Sequence, residues 1–281
     1  MAKNTVLTLS KQAAEGDKVT MVTSYDYTMA ALVERAGINM ILVGDSLGMT
    51  MMGYDSTVPV TMDDMVHHTR CVTRATSDTF VVGDMPFGSY QTGVADAVAN
   101  ASRLMKEGRC QAVKLEGGVR VAPQIRAIVD SGIPVCAHIG MTPQSSNAFG
   151  GFKVQGKSLE AARAIVADAL AVQEAGAFAV VLECVPAALA TYITSLLDHC
   201  FTIGIGAGNG CDGQVLVMQD LLGMAPGGFK PKMVRQFAQV GEVILGAYAD
   251  YSAAVKDGSF PGAENSFKID ESVMDELKKG E

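Results

Sequence analysis

The feature that most constrains this chain is one repeated unit, a short apolar run followed by a longer amphipathic stretch. The runs are VTMVTS (19–24), MILVG (40–44), FVVGD (80–84), AVKLE (112–116), PVCAH (134–138), AVVLE (179–183) and FTIGIG (201–206). Helices are predicted at 27–37, 62–76, 92–107, 120–131, 158–175, 187–197 and 213–222, with more helix around 231–256. Strands that alternate with helices in this way build a parallel sheet. Seven such units favour a closed (βα)8 barrel over a doubly wound sheet. The eighth strand is weak, and is expected to be short, near Leu222–Met224 or just beyond. Several helices end on Gly, in ERAGIN, KEGRC and EAGAF, where a positive φ caps the last turn.

A chain of 281 residues suits one barrel. No linker rich in Pro, Ser or charge divides it, so residues 1–281 are read as a single domain. The SKQAAEG stretch (10–16) predicts an extra N-terminal helix that closes the barrel bottom. From about residue 264 the chain turns polar and charged, which predicts a surface arm or a disordered tail.

Composition narrows the function classes. A net charge of −8 without a Lys/Arg cluster argues against nucleic-acid binding, yet leaves room for a small anionic substrate. The six cysteines form no C-x-x-C pair and read as reduced thiols of a cytosolic protein. No signal-like start and no apolar run of membrane-spanning length occur, so a cytoplasmic location is expected.

The chemistry is concentrated at strand ends. MILVGD ends in Asp45, followed by Ser46; FVVGD ends in Asp84; AVKLE carries Lys114 and ends in Glu116; PVCAH ends in His138; AVVLE ends in Glu183. In a barrel these ends converge on one mouth, where active sites lie. An acid after a strand is often only a turn or cap residue. Four acids at one mouth repel one another unless a cation sits among them. Side chains at i and i+2 share a strand face, so Lys114 and Glu116 point the same way. Carboxylates with few imidazoles suit Mg²⁺ or another hard cation, which keeps several waters and takes one or two carboxylates directly. His138 is a candidate contact because it ends at the same mouth. His67 and His68 are adjacent on a helix and read as surface or interface residues, while His199 precedes its strand at the opposite end. The GIGAGNGCDG run (204–213) misses the G-x-G-x-x-G spacing, which argues against a dinucleotide site and leaves phosphate binding, close backbone approach to substrate, or tight packing as its readings.

These motifs together resemble the ketopantoate hydroxymethyltransferase family from about Lys18 to Phe267. The likeness rests on VTSYDY (22–27), LVGDSLGMTMMGYDSTVPVT (42–61), GDMPFGSY (83–90), VKLEGG (113–118), TPQSSNAFGGFKVQGK (142–157), LECVP (182–186) and GIGAGNGCDGQVLVMQD (204–220). The resemblance implies a (βα)8 barrel of the phosphoenolpyruvate/pyruvate-domain type. It implies Mg²⁺-dependent transfer of a one-carbon unit from 5,10-methylenetetrahydrofolate to 3-methyl-2-oxobutanoate, giving 2-dehydropantoate through a metal-stabilised enolate. By the same resemblance Asp45, Asp84 and Glu116 form the metal site. Asp45, Ser46, Asp84 and Lys114 touch the keto acid, His138 joins them from its place at the mouth, and Glu183 is the proton acceptor. Family members often form decamers. Gln219 stands where the family usually has His, and PGAENSF replaces its tail motif; neither change falls on a proposed ligand or base. A C–C lyase or mutase of the same barrel superfamily is the alternative, but the K-K-C-G-H loop common in those enzymes does not occur here.

Overall fold

The computed structural model describes residues 3–225 and 230–280. Eight parallel strands close into a barrel in chain order. They are β1 (Val19–Thr23), β2 (Met40–Val43), β3 (Phe80–Asp84), β4 (Ala112–Glu116), β5 (Val135–Gly140), β6 (Ala179–Glu183), β7 (Phe201–Ile205) and β8 (Gly213–Leu216). The helices are α1 (Val6–Ala14), α2 (Tyr27–Arg35), α3 (Leu47–Thr50), α4 (Met62–Thr73), α5 (Val94–Arg103), α6 (Ala122–Asp130), α7 (Ser146–Phe149), α8 (Leu159–Glu174), α9 (Ala187–Leu196), α10 (Met218–Leu221), α11 (Val240–Asp257) and α12 (Glu271–Lys279). No helix among the described residues is long and apolar enough to cross a membrane.

The eighth strand corrects the expectation drawn from the sequence. It lies at Gly213–Leu216, inside the segment read as helix 213–222, and Leu222 follows the short α10. Residues 226–229, just beyond Met224, lie outside the described ones. The run QVLVMQDLL has helical spacing, but pairing to β1 and β7 at once overrides it (Val19↔Gly213 and Ile203↔Gly213). Gly213 permits this closure, because a Cβ there would sit 2.5 Å from the Val19 carbonyl oxygen. A second correction concerns KEGRC. The left-handed cap residue is Arg109 (φ 66°), while Gly108 serves close packing against Thr69.

Period-two alternation divides each strand between two cores. One set, including Ile41, Val81, Val113, Leu115, Val135 and Val180, faces the helices. The other, including Met40, Leu42, Phe80, Val82, Ala112, Cys136, Val181 and Ile203, fills the barrel interior. At the bottom, Leu9 of α1 packs into that interior cluster, and Phe80, Phe178 and Phe201 meet edge to face at 5.8 Å. The extra N-terminal helix therefore closes the bottom, as expected. Along the inward rows the side chains then change from apolar to ionisable. Phe80 and Val82 lead to Asp84, Ala112 to Lys114 and Glu116, Cys136 to His138, and Val181 to Glu183. The polar layer is thus the top course of the barrel packing.

All six cysteines are free. The tail takes the form of a surface arm: α12 is exposed along its whole length.

The bottom rim has its own clamp. Both carboxylate oxygens of Glu34 on α2 accept main-chain N–H groups, from Ser77 (2.9 Å), Asp78 (3.0 Å) and Thr79 (3.0 Å). Burial works against the charge, but these bonds outweigh it and hold the carboxyl below its usual range. Glu34→Ala is expected to cost roughly 1–2 kcal/mol, the lower part of the range for bonds to a charged acceptor because the group is partly in water. A depressed carboxyl pKa stabilises the fold fully above the unfolded-state pKa, and that contribution fades as pH falls through the folded-state pKa. The melting-temperature gap between variant and parent should therefore narrow on acidification; a gap that ignores pH would rule the clamp out.

Candidate active site

Strand register sets the neighbours at the mouth. Asp84 pairs with Lys114, Glu116 with His138, and Gly140 with Glu183. Asp84 and Glu116 therefore each stand beside a side chain of the next strand, while Glu183 stands beside a glycine. Lys114 is 3% exposed, and its Nζ donates to both oxygens of Asp84 at 2.7 Å. Burial favours the neutral amine, but Asp84, Glu116 and Asp45 outweigh it and keep the ammonium charged. Asp45 lies just past β2, and its N–H donates to Asp84 Oδ2 at 3.2 Å. Burial first, then the charges of Asp84 and Glu116, push the Asp45 carboxyl well above its usual range.

The other half of the mouth runs through His138. Its Nδ1 lies 3.6 Å from Glu116 Oε1 and its Nε2 3.2 Å from Glu183 Oε2. Neither contact has hydrogen-bond geometry, so the link is ionic proximity, and Glu116 Oε1 is buried without a donor. Burial, with Lys114, would lower the His138 pKa; the flanking Glu116 and Glu183 outweigh both and raise it to about 9. Glu183 is held by the backbone around it. Met141 N–H donates to its carbonyl at 2.8 Å, and Cys184 next to it takes a left-handed turn (φ 50°). Gly140 is required at this point, since a Cβ would run into the Glu183 carbonyl oxygen.

Six of the seven residues singled out at the strand ends, Asp45, Asp84, Lys114, Glu116, His138 and Glu183, thus meet at one mouth. Ser46 sits slightly apart, at 2.9 Å from the hydroxyl of buried Tyr25. His68 supports the same corner from behind, with Nδ1 2.7 Å from the Tyr25 carbonyl, and is half-buried where a surface or interface place was expected.

Sequence reasoning missed two residues of this network, Tyr90 and Gln144. Tyr90 follows β3, and its hydroxyl accepts from Glu116 N–H (3.1 Å) and donates to Gln144 Oε1 (2.7 Å). Burial, reinforced by the nearby acids, keeps that phenol protonated. Gln144 lies in the long loop after β5, within TPQSSN. The connection 139–157 is long for a compact domain, which is a signal of function in the sequence, but nothing in it points to one residue.

Chemically, the mouth offers three buried carboxylates beside one ammonium, and a fourth carboxylate reached through an imidazole. No three His, Cys, Asp or Glu side chains among the described residues are arranged as a ready metal cage.

Comparison with known proteins adds the lineage. A family model described as ketopantoate hydroxymethyltransferase matches residues 3–263. The 3-methyl-2-oxobutanoate hydroxymethyltransferase of Clostridium novyi (strain NT) is 58% identical over 275 residues, covering 98% of this chain and 99% of that one. Among solved structures, phosphonopyruvate hydrolase in complex with oxalate and Mg++ superposes with a TM-score of 0.60 at 13% identity, covering 100% of this chain and 98% of that one. A 2,3-dimethylmalate lyase, a member of the PEP mutase/isocitrate lyase superfamily, gives 0.57 at 16% identity, covering 98% and 99%. These two share the barrel.

Proposed function

Because the chain belongs to the ketopantoate hydroxymethyltransferase family, and is thereby a transferase, we propose that it moves a hydroxymethyl group from 5,10-methylenetetrahydrofolate to 3-methyl-2-oxobutanoate, giving 2-dehydropantoate in pantothenate biosynthesis. The observation that carries this reading is the buried strand-end network in a chain so similar, over nearly its full length, to enzymes of that name.

The residues fit a hard cation. The candidate donors are carboxylate oxygens, Glu116 Oε1 is buried without a hydrogen-bond donor, and Asp45 is disfavoured as an anion by burial and then by its neighbours. Since no ready all-protein cage occurs among the described residues, Mg²⁺ would be held by Asp45, Asp84 and Glu116, directly or through water, with the rest of its shell left to water and substrate. When bound, such an ion supplies Lewis-acid polarisation of the 2-oxo group.

The chain's own groups do the rest. Lys114 opposes the burial that pushes the Asp84 carboxyl up, and puts positive charge beside the keto acid, whose contacts are Asp45, Ser46, Asp84, Lys114 and His138. Glu183, buried at the rim beside Val181 and Cys184, takes the proton from C3. His138 Nε2 stands 3.2 Å from one Glu183 oxygen, leaving the other for substrate. The carbanion equivalent at C3 then forms the new C–C bond with the folate methylene carbon as one of its two C–N bonds breaks; water supplies the hydroxyl as the second C–N bond breaks, freeing tetrahydrofolate and the hydroxymethyl product.

A cytoplasmic homo-oligomer, the decamer that the family resemblance implies, completes the reading. In support, α11 buries none of its residues and turns Val243, Leu245, Tyr248 and Tyr251 outward.

The test is a product assay with purified protein. The keto acid, the folate and Mg²⁺ together should yield 2-dehydropantoate, and EDTA should abolish the product. Cleavage of the keto acid without folate would favour the C–C lyase alternative instead.

A further inference from the structure

We infer that Gln144 is a positioning residue that sets the carboxylates of Asp45 and Glu116, turning one oxygen of each toward the reacting centre. This rests on the metal site proposed above. Gln144 is 4% exposed and touches both acids through different groups. Its side-chain Nε2 donates to Asp45 Oδ2 at 2.8 Å, and its backbone N–H donates to Glu116 Oε2 at 3.0 Å. The other oxygens, Asp45 Oδ1 and Glu116 Oε1, receive no hydrogen bond from the described residues. One residue thus occupies one side of each acid and leaves the opposite side for a cation or substrate.

The amide cannot be reversed without loss. Nε2 also donates to the Met85 carbonyl at 2.9 Å, and a carbonyl only accepts. Oε1 accepts from the Tyr90 hydroxyl and from Gln91 Nε2 at 3.2 Å. The Tyr90 hydroxyl is polarised in turn, because Glu116 N–H fills its acceptor side and leaves its proton for Gln144. Two main-chain groups, one purely a donor and one purely an acceptor, therefore fix which end of the amide meets Asp45. A flip would place Oε1 against the carboxylate and the Met85 carbonyl, three acceptors with no proton between them.

The role separates from space-filling by Gln144→Met, which keeps length and volume and removes every side-chain hydrogen bond while keeping the backbone N–H. Mn²⁺ affinity is read by isothermal titration of the protein without substrate, alongside KM for the keto acid and kcat. Loss of an outer partner of a metal ligand typically weakens binding about 10–100-fold. The expected result is a Mn²⁺ loss of that size in a folded variant, with KM for the keto acid raised. A folded Gln144→Met with parental Mn²⁺ affinity overturns the inference. If that variant fails to fold, Tyr90→Phe carries the test: it keeps Gln144 but removes the hydroxyl that orients it, and should weaken Mn²⁺ in the same direction to a smaller extent. Unchanged affinity in Tyr90→Phe then overturns it. A parent chain that takes up no Mn²⁺ removes the proposed metal site itself, an outcome distinct from parental binding in the variants.

Discussion

Glu183→Gln is expected to slow exchange of the C3 proton of 3-methyl-2-oxobutanoate into deuterated water by about 10²–10⁴-fold, the usual contribution of a general base. The substitution is nearly isosteric, and the Gly140, Met141 and Cys184 backbone that holds residue 183 does not depend on its carboxylate. Mg²⁺ binding should stay intact, because Glu183 stands on the far side of His138 from Glu116. The two readouts separate the roles. Loss of exchange with retained metal binding assigns the proton to Glu183. Parental exchange in the variant would remove it from that role, and lost metal binding would place it among the ligands.

Lys114→Met should have the largest effect on stability. An exposed ion pair is worth about 0–1 kcal/mol, so removing one would be scarcely measurable. Lys114 is buried against Asp84, with Asp45 and Glu116 close enough to act on it. Removing the cation leaves buried carboxylates facing one another, at a cost of about 3–5 kcal/mol. For a chain of this size that is a fall in melting temperature on the order of 10 °C. Added Mg²⁺ should recover part of the loss, because a bound divalent cation replaces the missing positive charge and stabilises the folded state by mass action. A variant that melts within 2 °C of the parent, an order-of-magnitude threshold from the same scaling, would show that the acids do not depend on Lys114.

How much of this was legible in the sequence depended on where each residue sits in the repeat. Asp84, Glu116, His138 and Glu183 end apolar strands, so parallel register and two-residue alternation were enough to predict their meeting. The pairings Asp84↔Lys114 and Glu116↔His138 are set by the strand register, which only the structure supplies. The β8 strand was hidden because it begins on Gly213 and runs into a sequence with helical spacing. Its strand state comes from closing the barrel, a contact between residues far apart in the chain. Gln144 and Tyr90 were hidden for another reason. Both lie in loops, where no periodicity fixes the direction of a side chain, and their partners come from three different strand–loop junctions. Arg109 shows the same limit on a small scale. Gly108 looked like the cap, but its missing Cβ is used for packing against Thr69, and the left-handed turn falls one residue later.

The central claim is that the acids at the mouth divide by role, with Asp45, Asp84 and Glu116 around a cation and Glu183 apart from it. Crystals grown with Mn²⁺ and measured at its absorption edge test this most directly. The expected result is one anomalous peak among Asp45, Asp84 and Glu116, with Glu183 beyond bonding distance. A peak bonded to Glu183, or none among these three acids, would contradict it.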